Sequence, residues 1–187
     1  MASEKEKIIL GIDPGTNVMG FALLMVNGKK LQCITMDVRT FGGSDHAMKL
    51  KKIFEATLAI IEEHKPDELS VEAPFFGKNV QSMLKLGRAQ GVAMAAALYR
   101  SIPIFEYSPK KIKQAITGNG NASKEQVAAM VSTLLKIKVG DKKLDATDAM
   151  AAALCHYFQR SPGKVSGTKF SGWKGFIKEN TDRVLQG

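Results

Sequence analysis

The chain has 187 residues and a mass of 20.3 kDa, enough for one domain with a sizeable core and too few for two large ones. Its 27 Lys and Arg against 18 Asp and Glu give a formal charge of +9, which favours a polyanionic partner such as a nucleic acid. The longest apolar run, residues 92–98, is too short to span a bilayer, so a membrane-spanning protein is excluded.

Two further features predict a cytoplasmic protein. The amino-terminal sequence MASEKEK is too charged for a secretion signal. Cys33 and Cys155 lie far apart in the sequence among apolar neighbours, as expected for buried thiols in a reducing compartment. Neither cysteine suggests a zinc site.

The first part of the chain predicts strands before any helix. Three stretches have the apolar content and turn boundaries of strands, the last two joined as a hairpin at Asn27-Gly28: residues 8–12, 18–26 and 31–38. Apolar residues at helical spacing then predict a helix over 49–64, and a strand over 69–73 follows it. This order indicates a crossover connection between two strands of one sheet.

The second part of the chain alternates between helix and strand. A long helix is predicted over 79–99, and its small-residue face favours close helix packing. One strand and three helices follow in order: 102–107, 109–116, a helix that begins at Ser123, and 144–158. Gln126 is placed as the capping-box partner of Ser123. Together these elements predict an α/β fold in which helices flank a mixed sheet.

The composition changes after the last predicted helix. From Ser161 onward, glycines alternate with lysines, and three aromatic residues lie among them. We therefore expect residues 1–160 to form one domain and 161–187 to form a basic, Gly-rich carboxyl-terminal tail outside its core.

Four acidic residues occupy positions from which they can meet. Asp13 ends the first predicted strand and Glu72 ends the strand after the crossover helix, so parallel pairing of the two strands would bring both to one sheet edge. Asp145 and Asp148 are three residues apart, which places them on one helix face. Clustered carboxylates repel one another unless cations neutralise them, and ligand sets of oxygen alone favour Mg²⁺ or Mn²⁺.

Such a cluster can hold two ions about 4 Å apart, an arrangement that supports phosphodiester hydrolysis. Each acid taken alone also has a structural explanation. Asp13 can form a turn before Pro14, Glu72 can be a surface charge at a strand end, and Asp145 and Asp148 are favoured near a helix N-terminus. The prediction of a metal-dependent nuclease therefore depends on all four occurring together in a strongly basic chain.

Five segments in order and spacing resemble the RuvC family of Holliday junction resolvases. They are GIDPGT, VEAPFFGKN, MLKLGRAQGVA, FEYSPKKIKQAITGNGNASKEQV and DATDAMAAAL, and the resemblance covers about residues 8–158. It implies a ribonuclease H-like fold with a five-stranded sheet, and a homodimer that cuts opposing strands of a four-way DNA junction in recombination and repair. It also implies RuvA and RuvB as partner proteins. Some family members carry His where this chain has Asp145.

The same resemblance implies roles for individual residues. Asp13, Glu72, Asp145 and Asp148 are implied to be the catalytic residues and to hold Mg²⁺, or Mn²⁺ as a substitute, with two ions during catalysis. A base near the crossover is implied to stack on Phe75. The resemblance places two lysines near the scissile phosphate and suggests further contacts to the DNA backbone. The two lysines are Lys113 and Lys124, and the further contacts are Thr16, Lys78, Arg88, Lys110 and Lys111.

Three other functions compete with this interpretation. The segment GIDPGT also resembles the first phosphate loop of actin-like ATPases and sugar kinases, but those proteins need two such domains. A ribonuclease H-like nuclease acting on structured RNA is the main alternative, and a non-catalytic junction-binding module is the third.

The sequence also offers a candidate dimer contact, the helix over 79–99, because its small-residue face permits close approach of a second copy.

Overall fold

A computed structural model of the protein describes residues 6–43, 45–73, 79–137 and 144–160. Within these residues the chain forms, in order, β1 (Lys7–Asp13), β2 (Val18–Asn27), β3 (Lys30–Thr40), α1 (His46–His64), β4 (Glu68–Glu72), α2 (Val80–Tyr99), β5 (Ile104–Tyr107), α3 (Pro109–Thr117), α4 (Lys124–Leu135) and α5 (Leu144–Arg160). Among the described helices, none has both the length and the apolar character needed to cross a membrane. Phe75, Lys78 and the predicted tail over 161–187 lie outside the described residues.

The strands form one mixed sheet in the order β3-β2-β1-β4-β5. Strand β1 pairs antiparallel with β2 and parallel with β4, and β4 pairs parallel with β5. The predicted mixed five-stranded sheet is therefore confirmed. Because β1, β4 and β5 run in the same direction, their carboxyl ends lie at the same edge of the sheet, where α/β proteins commonly bind ligands.

Side chains alternate between the two faces of the sheet and so contribute to two separate cores. Ile9 packs on the face covered by α3, α4 and α5, whereas Leu10 and Ile12 pack on the face covered by α1 and α2. Asp13 lies four residues after Ile9 on the same strand, and residues an even number apart share a face, so the Asp13 side chain lies on the face that carries α5. Ser70 of β4 also faces α5, since its hydroxyl donates a hydrogen bond to that helix. Glu72 lies two residues further along β4 and therefore shares this face. Strand alternation thus directs both strand-end acids toward one helix.

Helix α5 packs unusually close to the sheet. Its Ala-rich segment is buried along its whole length, from Ala146 to Cys155 apart from Asp148, which is partly exposed. Small side chains let the helix backbone approach the strands. The acidic first turn of α5 therefore lies directly over the carboxyl-terminal edge of the sheet.

Local chemistry explains where several elements begin. Helix α1 begins at His46 instead of the predicted residue 49, because the Asp45 side chain accepts a hydrogen bond from the Ala47 amide at 2.9 Å. Strand β5 begins at Ile104 instead of 102, since Pro103 has no amide hydrogen for the ladder and only its carbonyl is used. The predicted capping box of Ser123 and Gln126 is confirmed at the start of α4.

Candidate active site

Three aspartates meet where β1 ends and α5 begins. Asp13 is the last residue of β1, and Asp145 and Asp148 lie in the first turns of α5 on one helix face. One carboxylate oxygen from each lies within 4.8 Å of those of the other two. Asp13 lies more than 130 positions before the other two in the sequence, so only the packing of α5 on the sheet brings it to them.

Glu72 brings a fourth carboxylate to the same place. It ends β4, the parallel neighbour of β1, and it lines a cavity of about 180 Å³ together with Asp13 and Asp148. Residues from α3, α4 and α5 complete the lining: Pro109, Ile112, Lys113, Lys124, Val127 and Ala151. The cavity is therefore acidic at the sheet edge, apolar along its helical walls, and bordered by two lysines.

The carboxylates of this cavity destabilise one another's charged forms. Burial, followed by the nearby charges of Asp148 and Glu72, raises the pKa of Asp13 to about 8. Burial and Asp148 likewise raise the pKa of Glu72, while Lys124 and Lys113 oppose the shift. Without a compensating cation, the carboxylates of the cluster therefore cannot all be ionised at neutral pH, and Asp13 is mostly protonated.

Lys124 provides the strongest local compensation. Its ammonium nitrogen lies 2.6 Å from an Asp148 carboxylate oxygen. Burial lowers the pKa of Lys124, but the hydrogen bond and the charge of Asp148 outweigh this effect, so the pKa is raised and the side chain stays protonated. The Ser123 cap fixes the N-terminus of α4, and this places Lys124 at the mouth of the cavity.

The donor set fits a hard divalent cation. All four acids offer oxygen ligands, which Mg²⁺ and Mn²⁺ prefer, and no His or Cys lines the cavity among the described residues. A cation at the three clustered aspartates would relieve the repulsion that raises the pKa of Asp13. Asp13, Asp145 and Asp148 are therefore the residues best placed to hold a metal ion, with Glu72 beside them.

The other residues named from the sequence lie at different distances from this cavity. Thr16 is half-buried in the turn after Asp13. Lys110 and Lys111 are exposed on α3, where the Lys111 ammonium lies 5.1 Å from the centre of the Tyr107 ring. Arg88 is exposed on α2, on the opposite face of the sheet from α5. Among the basic residues predicted to contact DNA and described by the structure, Lys113 and Lys124 line the cavity. Arg88, Lys110 and Lys111 do not.

Two glycines at the site were not singled out from the sequence. Gly11 of β1 and Gly20 of β2 are buried directly beneath the backbone of α5. A glycine inside a strand is a known signal of close backbone approach, so the sequence did contain the clue. Without the tertiary structure, nothing indicated which segment approaches them.

The sheet order and the acidic residues at the ends of β1, β4 and the start of α5 define a ribonuclease H-like protein with a carboxylate-rich candidate metal site. The family model described as crossover junction endodeoxyribonuclease RuvC matches residues 9–156. The chain therefore belongs to the RuvC family.

Individual proteins support the same assignment. The chain is 59% identical to the crossover junction endodeoxyribonuclease RuvC of Cytophaga hutchinsonii, over 96% of this chain and 88% of that protein. It is also 59% identical to the Bacteroides fragilis protein of the same name, over 96% and 97%. Thermus thermophilus RuvC, solved in complex with a Holliday junction substrate, superimposes with a TM-score of 0.76 at 30% identity, over 82% of this chain and 94% of that one.

Proposed function

We propose that this chain is a structure-selective endodeoxyribonuclease that resolves four-way DNA junctions by paired nicks in opposing strands. The observation that carries the proposal is the cavity in which Asp13, Glu72 and Asp148 face Lys113 and Lys124. Carboxylates that need a divalent cation, beside lysines that suit a phosphate, match what phosphodiester hydrolysis requires. A chain of net charge +9 is suited to the polyanionic substrate.

In the proposed mechanism Asp13, Glu72, Asp145 and Asp148 hold Mg²⁺, with Mn²⁺ as a substitute and two ions during catalysis. When bound, these ions supply Lewis-acid stabilisation of the attacking and leaving oxygens. The protein supplies the rest. Lys124 and Lys113 attract the scissile phosphate toward the carboxylates, and the apolar walls of α3 and α4 limit access of bulk water.

Contacts outside the cavity are proposed to hold the DNA strands in place. Phe75 follows β4 by three residues, and we propose that it stacks on a base near the crossover. Five further residues are proposed to contact the DNA backbone: Thr16, Lys78, Arg88, Lys110 and Lys111. Such contacts fix the register of the strands without reading their sequence.

One assay tests the proposed function. Purified protein is incubated with a synthetic four-way junction, a linear duplex and a structured RNA, each with Mg²⁺ or with a chelator. We expect symmetric nicks in the four-way junction, in Mg²⁺ only, and little cleavage of the other two substrates. Equal cleavage of the linear duplex, preferred cleavage of the RNA, or binding without cleavage would each contradict the proposal.

We further propose that the active form is a homodimer joined through α2. A stripe opposite the buried face of α2 is apolar or small and lacks cover in the described structure: Val80, Leu84, Gly87, Gly91, Ala95 and Leu98. Leu84 and Leu98 are 55% and 63% exposed, and a Cβ added at Gly87 or Gly91 would meet no atom within 4 Å. Two such helices related by a two-fold axis would bury this stripe against itself.

A bulky residue in the middle of the stripe should weaken the dimer. Gly91→Arg adds a long charged side chain where the two helices are proposed to approach most closely, so we expect sedimentation velocity to show a shift from dimer toward monomer. Thr133→Arg adds the same charge to α4, on the other face of the sheet, and should leave the dimer intact. An unchanged dimer in Gly91→Arg would argue against this interface.

The remaining predictions from the sequence stay proposals. A cytoplasmic location and the partners RuvA and RuvB suit the proposed role in recombination and repair. The basic tail over 161–187 is proposed to lie outside the nuclease domain formed by residues 1–160.

A further inference from the structure

Helix α5 rests on the sheet along one stripe of residues that begins in the candidate metal site. The members recur at intervals of four, three and four residues, the spacing of one helix face: Asp145, Ala149, Ala152 and His156. Hydrogen bonds hold the last two to β4. The Ser70 hydroxyl donates to the Ala152 carbonyl at 2.7 Å, and a His156 ring nitrogen lies 2.6 Å from a Glu68 carboxylate oxygen. The first two members contact the strands through the helix backbone instead.

Those first two members lie directly on the strand glycines. A Cβ built on Gly20 would come closer than 3.0 Å to the carbonyl oxygen and carbon of Asp145, and a Cβ on Gly11 would do the same at Ala149. Real Cβ atoms do not approach other atoms this closely. Because the obstructing atoms belong to the helix backbone, no side-chain rotation relieves the overlap. Any side chain at either position must therefore lift or shift α5.

Gly20 differs from Gly11 in its distance from the acids. It is the direct ladder partner of Asp13 in the antiparallel β1–β2 pair. Paired residues of antiparallel strands point to the same face, with Cβ atoms about 4.5–5.5 Å apart. The space that a side chain at position 20 would fill, next to the Asp13 carboxylate, is occupied by the first turn of α5. Gly11 lies under Ala149, in the following turn of α5 and farther from Asp145.

We propose that Gly20 is a positioning residue for the candidate metal site. Its lack of a side chain sets the depth at which the first turn of α5 lies on β2, and thereby sets the separation of Asp145 and Asp148 from Asp13. Gly11 holds the same helix at Ala149, one turn beyond Asp145, so a shift of the helix there displaces Asp145 less. The inference rests on the proposed function, since it takes the three aspartates to bind Mg²⁺.

The test compares the same added methyl group at the two glycines. Gly20→Ala is expected to raise the Mg²⁺ concentration for half-maximal junction cleavage about 10- to 100-fold, the range for losing a residue that orients metal ligands. A second measurement does not depend on cleavage: the increase in Tm that Mn²⁺ produces in the DNA-free protein should shrink or disappear.

Two variants serve as controls. Gly11→Ala is expected to lower the Tm about as much as Gly20→Ala does but to raise the Mg²⁺ requirement much less, because its methyl lies under Ala149 and not under a proposed metal ligand. Gly42→Ala places its methyl where no atom lies within 4 Å, so both measurements should be unchanged. The contrast between the first control and Gly20→Ala separates ligand positioning from general destabilisation of the fold.

A further variant tests the same spacing with the glycines intact. If α5 lies at a depth that suits a short side chain, Asp145→Glu should raise the Mg²⁺ requirement, because its carboxylate extends one methylene too far. In the Gly20→Ala variant, where α5 lies farther from the sheet, the longer side chain of Asp145→Glu should reach the metal ion again and restore part of the lost Mg²⁺ affinity. Such a rescue would not occur if Gly20 acted on stability alone.

The inference is overturned if Gly20→Ala and Gly11→Ala have the same Mg²⁺ requirement. If Gly20→Ala does not fold, Asp145→Glu decides, and wild-type Mg²⁺ dependence in that variant overturns the inference. Failure of the proposed function has a different signature, because the wild-type protein itself would then not nick four-way junctions selectively in Mg²⁺.

Discussion

Asp13→Asn is expected to lower the single-turnover rate of junction cleavage by at least about 10³-fold while junction binding is retained. Asparagine keeps the size of the side chain but loses the charge needed to hold a divalent ion, and metal assistance contributes several kcal/mol to such reactions. The rate is measured with enzyme in excess in Mg²⁺, and binding is measured with a chelator. Glu63→Gln, which removes an exposed charge on α1, is the matched control. Wild-type rates in Asp13→Asn would remove this residue from the mechanism.

The same substitution should stabilise the metal-free protein. Burial and the charges of Asp148 and Glu72 raise the pKa of Asp13 from 3.8 to about 8, so its ionisation opposes folding. For a carboxylate with a raised pKa, this contribution lowers stability progressively as pH rises between those two values. Asn does not titrate, so the difference between variant and wild type should widen toward pH 8.

Thermal unfolding in chelator measures this stabilisation. A protein of this size gains about 2–4 °C in Tm for each 1 kcal/mol of repulsion that is relieved. Asp13→Asn should therefore unfold at a higher temperature than the wild type at pH 8, and the gap should narrow at pH 5. Equal Tm values at pH 8 would show that burial and the neighbouring carboxylates do not raise the pKa of Asp13 in the metal-free fold.

Lys124→Met is expected to reduce the rate of junction cleavage by about 10²- to 10³-fold, the usual cost of removing one group that stabilises charge at a reacting centre. The lost ammonium lies 2.6 Å from Asp148 and lowers the pKa of both Asp13 and Glu72. Without it both pKa values rise further. The pH at which cleavage reaches half its maximum should therefore shift upward as well.

A pH–rate profile at saturating Mg²⁺ separates this effect from weaker DNA binding. Lys30→Met is the matched control, because Lys30 begins β3 at the hairpin end of the sheet, away from Asp13. It removes one positive charge and should leave the rate and the pH profile unchanged. If Lys124→Met weakened binding only, with cleavage of bound junction as in the wild type, Lys124 would be a DNA contact and not part of the reacting centre.

The sequence by itself determined most of the local structure. Short apolar runs bounded by turn signals predicted the strands, and Ser123 with Gln126 predicted the start of α4, because these signals depend only on neighbours along the chain. The positions of Asp13 and Glu72 at strand ends were predictable as well, because the neighbouring residues mark where each strand ends. The family was also predictable, since its five segments are continuous stretches of sequence.

What brings the acids together was decided only in three dimensions. Asp145 lies against Gly20, and His156 contacts Glu68 from 88 positions away. The residues next to Asp145 and His156 in the sequence do not indicate that Gly20 and Glu68 are their contacts. The pKa of Asp13 also depends on this arrangement, because burial and the charge of Asp148 act only once α5 lies on the sheet. Periodicity fixes which face a side chain occupies, whereas the separation between two distant segments depends on which residues lie between them, and here the absence of a side chain at Gly20 sets that separation.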